Sequence, residues 1–359
     1  MDLNNKNIEE IKLWVNEFHN IYEYKSSINT KSDKQKILGD NYDRKCRFCG
    51  KDKTQTTFKK QAHVIPAFMG NTHVKSTYEC DNCNSIFGKY ENDLASFIGI
   101  RRFYFSTESF KNRRKRVFKK ENSIAELYPF KYGISVIDPK NEIFELLEDG
   151  KTKRCKINKT SFIPLNVYKA LVKIVLSILY DEAISCFPKT LDFLINSELD
   201  DDNTIKLFAK LSLHAINDFH TDYPIVFTYS KLDEIEEYEV KNNLAIPDKT
   251  FVIYFNQFCF QIFLPFDIKD KKISERKNIL LPCFPPILTE PKDITIMTLY
   301  PEYYHSNRDL SSKEKIKDEK DEFYFRNLTE PILVEYTEKE HNEMIKKFGL
   351  REIKDFQQK

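Results

Sequence analysis

Two short stretches decide how this chain folds: Cys46-Arg47-Phe48-Cys49-Gly50 and Glu79-Cys80-Asp81-Asn82-Cys83-Asn84. Each holds a Cys-x-x-Cys pair, and thirty residues separate the pairs. Two residues between thiols let the backbone turn around a metal, so two such knuckles offer four thiolates to one tetrahedral Zn²⁺. Gly50 suits the turn that leaves the first pair. Four cysteines close the coordination shell, which makes the ion structural and not catalytic. A redox dithiol needs one pair only and leaves the other unexplained. The segment has few large apolar residues and needs such a staple to fold. Cys155, Cys186, Cys259 and Cys283 lack this spacing and are read as ordinary cysteines.

Between the knuckles runs Thr57-Phe58-Lys59-Lys60-Gln61-Ala62-His63-Val64-Ile65-Pro66. After the second knuckle comes Asn84-Ser85-Ile86-Phe87-Gly88-Lys89-Tyr90-Glu91-Asn92-Asp93-Leu94. In order, Cys46, Cys49, His63 through Pro66, Cys80, Cys83 and Asn84 make a pattern that resembles the zinc-bearing branch of the HNH endonuclease family. The resemblance covers about residues 44–97. It implies a ββα-metal fold, with two short strands and a helix gripping one divalent ion. It also implies that His63 ends a strand and acts as the general base that activates water against a phosphodiester. The expected products are a 5′-phosphate and a 3′-hydroxyl. An imidazole with an ordinary pKa near 6.5 is mostly neutral at pH 7 and can accept the proton of water. A hard cation, Mg²⁺ or Mn²⁺, would neutralise charge growing on the leaving oxygen.

The ligands of that second ion are read from helical geometry. If a helix starts near Cys83, Asn84 and Glu91 lie two turns apart on one face. Gly88 sits between them and leaves space for an ion, a water or a phosphate oxygen. Asn84 and Glu91 are therefore the expected catalytic-ion residues beside His63, with His73 and Asp93 as further candidates. The family commonly places an acid directly before the base histidine, where this chain has Ala62. The family asparagine that orients the base has its counterpart somewhere in Asn71-Thr72-His73-Val74-Lys75-Ser76, with Asn71 and His73 both open.

Downstream, residues 101–120 carry nine Lys or Arg against one acid, Glu108. Basic side chains beside a phosphodiesterase centre hold backbone phosphates and release counterions. Lys59, Lys60, Arg101, Arg102, Arg113, Arg114, Lys115 and Arg116 are the expected nucleic-acid contacts, and Phe103, Tyr104 and Phe105 are available to stack on bases. An exposed linker packed on the core is the plainer reading of this segment.

Composition bounds the rest. Of 359 residues, 57 Lys and Arg nearly cancel 55 Asp and Glu, so the net +2 singles out no partner and any nucleic-acid footprint must be local. At 41% hydrophobic and 14% aromatic, the chain has enough apolar content for a sizeable core. No glycine-rich phosphate loop of either common pattern occurs. The opening Met-Asp-Leu-Asn-Asn-Lys lacks an apolar signal core, and the most apolar run, residues 174–180, falls well short of the roughly 20 residues of a membrane span. A cytoplasmic protein without membrane contact is expected, in a compartment that keeps thiols reduced.

The expected fold class is α+β: a small ββα-metal zinc domain joined to a larger mixed α+β domain. Residues 1–43 read as an amphipathic helix over 1–25 followed by a polar linker, 44–107 as the HNH unit, and 108–359 as a domain for substrate selection, sensing or homo-oligomerisation. Within the last, Leu165–Ile184 reads as a buried helix. Phe251–Phe255 and Phe258–Leu264 read as a hairpin around Asn256-Gln257, and Pro224–Tyr229 and Ile294–Leu299 as strands. The charge run 311–322 reads as a solvated helix face or linker. The expected activity is metal-dependent hydrolysis of DNA, with RNA as the second substrate class and defence against phage or plasmid DNA as the setting. The competing readings are a non-catalytic zinc-knuckle protein that binds nucleic acid and a protein-binding knuckle.

Overall fold

The computed structural model describes residues 17–30, 36–39, 45–71, 73–99, 116–120, 123–128, 133–137, 144–148, 153–196, 202–216, 221–256, 258–275, 278–285 and 303–325. The chain is a mixed α+β protein. Strand β1 (Tyr22–Asn29) comes first. Then β2 (Lys36–Leu38), β3 (Ala62–His63) and β4 (Val74–Ser76) form a small sheet in the order β2-β4-β3. Its β3/β4 ladder is antiparallel, with Ala62 opposite Ser76 and His63 opposite Lys75.

Helix α1 (Asp81–Ile98) follows directly. Cys80 is its N-cap, with Sγ accepting from the Cys83 N–H at 3.4 Å, and Asp81 adds a negative charge to the first turn. Its buried positions include Cys83, Phe87, Leu94 and Ile98, spaced so that one stripe faces inward. Gly99 ends it at φ +67°; a Cβ there would come within 2.0 Å of an Asp321 carboxylate oxygen.

Short strands β5 (Arg116–Lys120), β6 (Ser123–Tyr128) and β7 (Gly133–Ile137) make one antiparallel sheet. Strands β8 (Phe144–Leu146) and β9 (Lys153–Asn158) belong to another. Helix α2 (Pro164–Ile178) starts with Pro at its N-terminus, and almost every residue in it is buried, including Lys169 and Lys173. A helix apolar on all sides must be enclosed. Here α1 packs along α2, and the Tyr168 hydroxyl on α2 donates to the Phe263 carbonyl at 2.7 Å. Helices α3 (Asp181–Ile184), α4 (Pro188–Ile195) and α5 (Asp202–Phe208) follow.

The main sheet comprises β1, β10 (Lys210–Ile216), β11 (Thr221–Lys231), β13 (Lys249–Asn256), β14 (Phe258–Phe263) and β16 (Tyr303–Asp309). Its order is β1-β11-β13-β14-β10-β16, antiparallel throughout. Helix α6 (Ile235–Asn242) precedes β12 (Leu244–Ala245), which pairs in parallel with β15 (Asn278–Ile279). Strand β17 (Lys320–Phe325) pairs with β9.

The expected hairpin is present: Phe255 pairs with Phe258, Asn256 takes φ +49°, and both strands are buried on both faces. The buried helix and the strand over 224–229 are also present. Ile294–Leu299 lies outside the described residues, as do residues 1–16 of the expected N-terminal helix.

Part of the expected N-terminal helix and linker needs correction. Residues 17–19 are helical, but 36–38 form β2 and 22–29 form β1, which pairs with β11 from Tyr22↔Lys231 to Asn29↔Ile225. Its exposed edge accounts for its polar residues. The charge run 311–322 is a largely exposed linker up to residue 319, and only its end enters β17, where Asp321 is buried within 3.4 Å of Lys159.

Beside the sheet, Lys249 Nζ contacts Asp248 at 2.8 Å and Asp267 at 2.9 Å. Burial pushes the nearby Asp270 carboxyl up to about 7, and Asp267 and Asp248 add to the rise. Folded Asp270 therefore holds a proton that the unfolded chain gives up above about pH 4. Stability should fall as pH rises from about 4 to about 7, by up to about 1.4 kcal/mol per pH unit from this group. Asp270→Asn should flatten that slope in urea titrations across this range; an unchanged slope would rule out Asp270 as its source.

Candidate metal centre and active site

Cys46, Cys49, Cys80 and Cys83 place their sulfurs within 4.8 Å of one another. Sγ of Cys46 and Cys83 are 3.8 Å apart, as are those of Cys49 and Cys80. A tetrahedron with Zn–S bonds of about 2.3 Å has edges of about 3.8 Å. The donor set and its spacing thus fit Zn²⁺. Gly50, at φ +69°, donates its N–H to the Cys46 carbonyl at 2.8 Å and closes the first knuckle. Cys80 and Cys83 open α1, so the metal would join loop to helix.

The knuckle grips α2 as well. The Arg47 guanidinium donates to the carbonyls of Leu176, Ser177 and Leu179 at 3.1, 3.3 and 2.8 Å, and pairs with Asp181 at 2.7 Å. It lies 3.9 Å from the Tyr78 ring centroid, and the Tyr78 hydroxyl donates to the Ser177 carbonyl. These contacts satisfy the orphan carbonyls at the end of α2 and place a cation at its negative pole.

His63 ends β3, half-buried. Its Nδ1 is buried with no hydrogen-bond partner among the described residues. Burial lowers the His63 pKa below 6.5, helped by the charges of Lys75 and Lys173. Asn71, fully buried, braces the following turn: Nδ2 donates to the carbonyls of Ile65 and Val74 at 2.8 Å each, and Oδ1 accepts from the Val74 N–H at 2.9 Å. In this structure Asn71 holds the backbone after His63, and no contact to the ring is among its bonds.

The side chain that sequence reasoning missed is Lys173. It crosses from α2 and donates to the His63 carbonyl at 2.7 Å, while its Nζ lies 3.3 Å from both Glu79 and Glu91. Burial alone would lower its pKa, but Glu79 and Glu91 outweigh that and keep it protonated. Glu79 is pushed up to about 7 by burial, with Lys173 opposing the rise. A hint was present in the sequence, since Lys169 and Lys173 interrupt an otherwise apolar helix at one-turn spacing.

The other predicted residues fall as follows. Glu91 is brought to His63 through Lys173. Asn84 lies two turns earlier on α1, and a Cβ added at Gly88 between them would meet nothing within 4 Å. Asp93 is turned to α2, where it accepts from Asn166 at 2.7 Å. His73 precedes β4, and its carbonyl accepts from the Lys36 N–H at 3.0 Å. The backbone N–H groups of Lys59 and Lys60 donate to the Asp81 carboxylate at 3.0 and 2.9 Å, which ties these two exposed residues to the start of α1. Arg101, Arg102, Arg113, Arg114 and Lys115 lie outside the described residues, and Arg116 opens β5. Among the described residues, no second group of three or more His, Cys, Asp and Glu is placed to share an ion, and no helix is long and apolar enough to cross a membrane.

Residues 46–95 match the family model described as HNH endonuclease, a span that takes in all four thiols, β3, β4 and most of α1. The chain therefore carries an HNH-type unit, a kind that acts on nucleic acid, with a four-cysteine cluster suited to zinc. No curated protein and no solved structure matches the chain.

Cys80→Ser removes one ligand and the α1 cap together. It should abolish stoichiometric zinc, measured by chelator release; retained zinc would contradict the clamp. Arg47→Met should lower unfolding free energy by about 2–3 kcal/mol in urea titrations, because several buried carbonyls lose a charged donor.

Proposed function

We propose that this protein is a metal-dependent endonuclease that hydrolyses phosphodiester bonds, with His63 as the general base and DNA as the principal substrate. The observation that carries the reading is that the His63 carbonyl and the Glu91 carboxylate, both inside the segment that matches the HNH endonuclease model, meet at the buried ammonium of Lys173. His63 takes a proton from water as the water oxygen bonds to phosphorus and the phosphorus–O3′ bond breaks. Its lowered pKa keeps the ring neutral, and so basic, at physiological pH. Lys59 and Lys60, anchored through their backbone by Asp81, hold backbone phosphates, and the basic residues over 101–116 add positive charge for the same purpose.

Mg²⁺ takes one or two carboxylates and keeps several waters, so it needs no dense protein cage. Asn84 and Glu91, flanking the open surface at Gly88, fit such an ion and would hold it. Bound there, the ion would supply positive charge to the leaving oxygen. RNA is the second substrate class. The setting we infer is a microbial cytoplasm, where cleavage would act against phage or plasmid DNA, with residues 108–359 selecting substrate, sensing a signal or joining copies of the chain.

A second reading, a zinc-knuckle binder without catalysis, draws on Ala62 at the family's usual acid position and on the compensation of Glu91 by Lys173. One experiment separates the two. His63→Ala should lose at least about 100-fold of Mn²⁺-supported plasmid cleavage while keeping gel-shift affinity; equal cleavage by both proteins would sink the nuclease reading. In wild type the acid limb of the pH–rate profile should fall below pH 6.5, since burial depresses the base. A limb above 6.5 would exclude His63 as the titrating group.

A further inference from the structure

We propose that Lys173, outside the segment that matches the nuclease family, is a positioning residue for phosphodiester cleavage: its buried ammonium fixes the backbone of His63 and the carboxylate of Glu91 in one arrangement. The proposal rests on the nuclease reading and assigns to it a residue of α2.

Lys173 has a 1% exposed side chain, so it meets no substrate and acts through its neighbours. An ammonium has three donor hydrogens, and three partners surround this one. They come from three elements: the His63 carbonyl at the end of β3, Glu79 before α1, and Glu91 on α1, at 2.7, 3.3 and 3.3 Å. The Phe87 ring, with its centroid 5.9 Å away, covers the same charge. Two of the donors are bonded, to the His63 carbonyl and to Glu91, and Glu79 holds the charge from ion-pair distance, so the ammonium cannot swing without leaving an oxygen behind.

Holding the His63 carbonyl sets the peptide plane from which the imidazole projects. Lys173 engages only Oε1 of Glu91, which leaves Oε2 outside the contact. Glu79, with a fully buried side chain, balances the ammonium's charge and touches neither His63 nor Glu91 in the contacts that define the site. A core serving stability alone is as well filled by apolar side chains as by a buried ion pair. This lysine instead joins the two residues on which the proposed chemistry depends.

The test compares Glu79→Gln with Lys173→Met/Glu79→Gln, both full-length and zinc-loaded. Removing Glu79 in both leaves no orphaned buried carboxylate, so the comparison isolates the ammonium. The double variant should keep wild-type zinc content and a melting temperature within about 5 °C of Glu79→Gln. Its plasmid-cleavage kcat should fall about 100-fold, the scale of a catalytic group misplaced by about 1 Å. Its half-saturating Mn²⁺ concentration should also drop severalfold, because Glu91 no longer shares its charge with a lysine. A merely structural role would move neither once the fold is retained. A double variant with kcat within twofold of Glu79→Gln and unchanged Mn²⁺ dependence overturns the proposal.

If the Met variant unfolds, Lys173→Gln/Glu79→Gln takes its place, since its amide still donates into the core, and the same two readings apply. If wild type cleaves neither plasmid nor RNA, the nuclease reading fails separately. Positioning is then read from ¹⁵N-histidine spectra, with the His63 signals identified by their loss in His63→Ala. Shifted ring resonances in the double variant support the role of Lys173, and coincident ones overturn it.

Discussion

The structure depends first on four sulfurs held about as close as a tetrahedral metal allows. Thiolates at 3.8 Å repel one another, and a divalent cation held among them would turn that repulsion into the tightest constraint in the segment. It pins the loop at 46–50 to the first turn of α1. Strands β3 and β4 lie between these anchors, so the place of His63 relative to α1 follows from the clamp. Arg47 and Tyr78, flanking the knuckle cysteines in sequence, carry the constraint outward by gripping the carbonyl end of α2.

That grip gives the nuclease unit a wall it does not encode itself. Helix α2 is enclosed between α1 and the main sheet, and it brings Lys173 under the site. Burying a charge among apolar side chains is costly, and removing one partner of a buried pair costs on the order of 3–5 kcal/mol because the other is left uncompensated. Lys173 is tolerated because Glu79 and Glu91 come from the opposite side. The same trio neutralises part of Glu91, so any catalytic ion there meets a carboxylate already shared. The site is thus a balance of one ammonium, two carboxylates and an imidazole whose charged form burial disfavours.

Legibility tracked the range of the interactions. The knuckles were readable because ligand spacing is local. The β13/β14 hairpin was readable because strands buried on both faces appear as continuous apolar runs. The place of Glu91 and the open surface at Gly88 followed from helical period alone. Strand β1 was not readable: its Tyr-Glu-Tyr-Lys-Ser-Ser-Ile-Asn is an edge-strand pattern that a single sequence does not distinguish from a polar linker. The end of the acidic and basic run, inside β17, was unreadable for a related reason, since Asp321 is buried by Lys159 and Gly99, which lie far away in sequence.

By itself, then, the chain determined what chemistry is available: four thiols at knuckle spacing, a histidine ahead of Val-Ile-Pro, and a helix with an acid two turns from an asparagine. These are local properties, written in spacing and side-chain type. Tertiary structure alone decided which charges share a site. Lys173 reaches His63 across 110 positions of sequence and Glu91 across 82, and Asp93 is drawn off to Asn166. Burial makes such encounters decisive, because a charge removed from water must find its partner wherever packing places one.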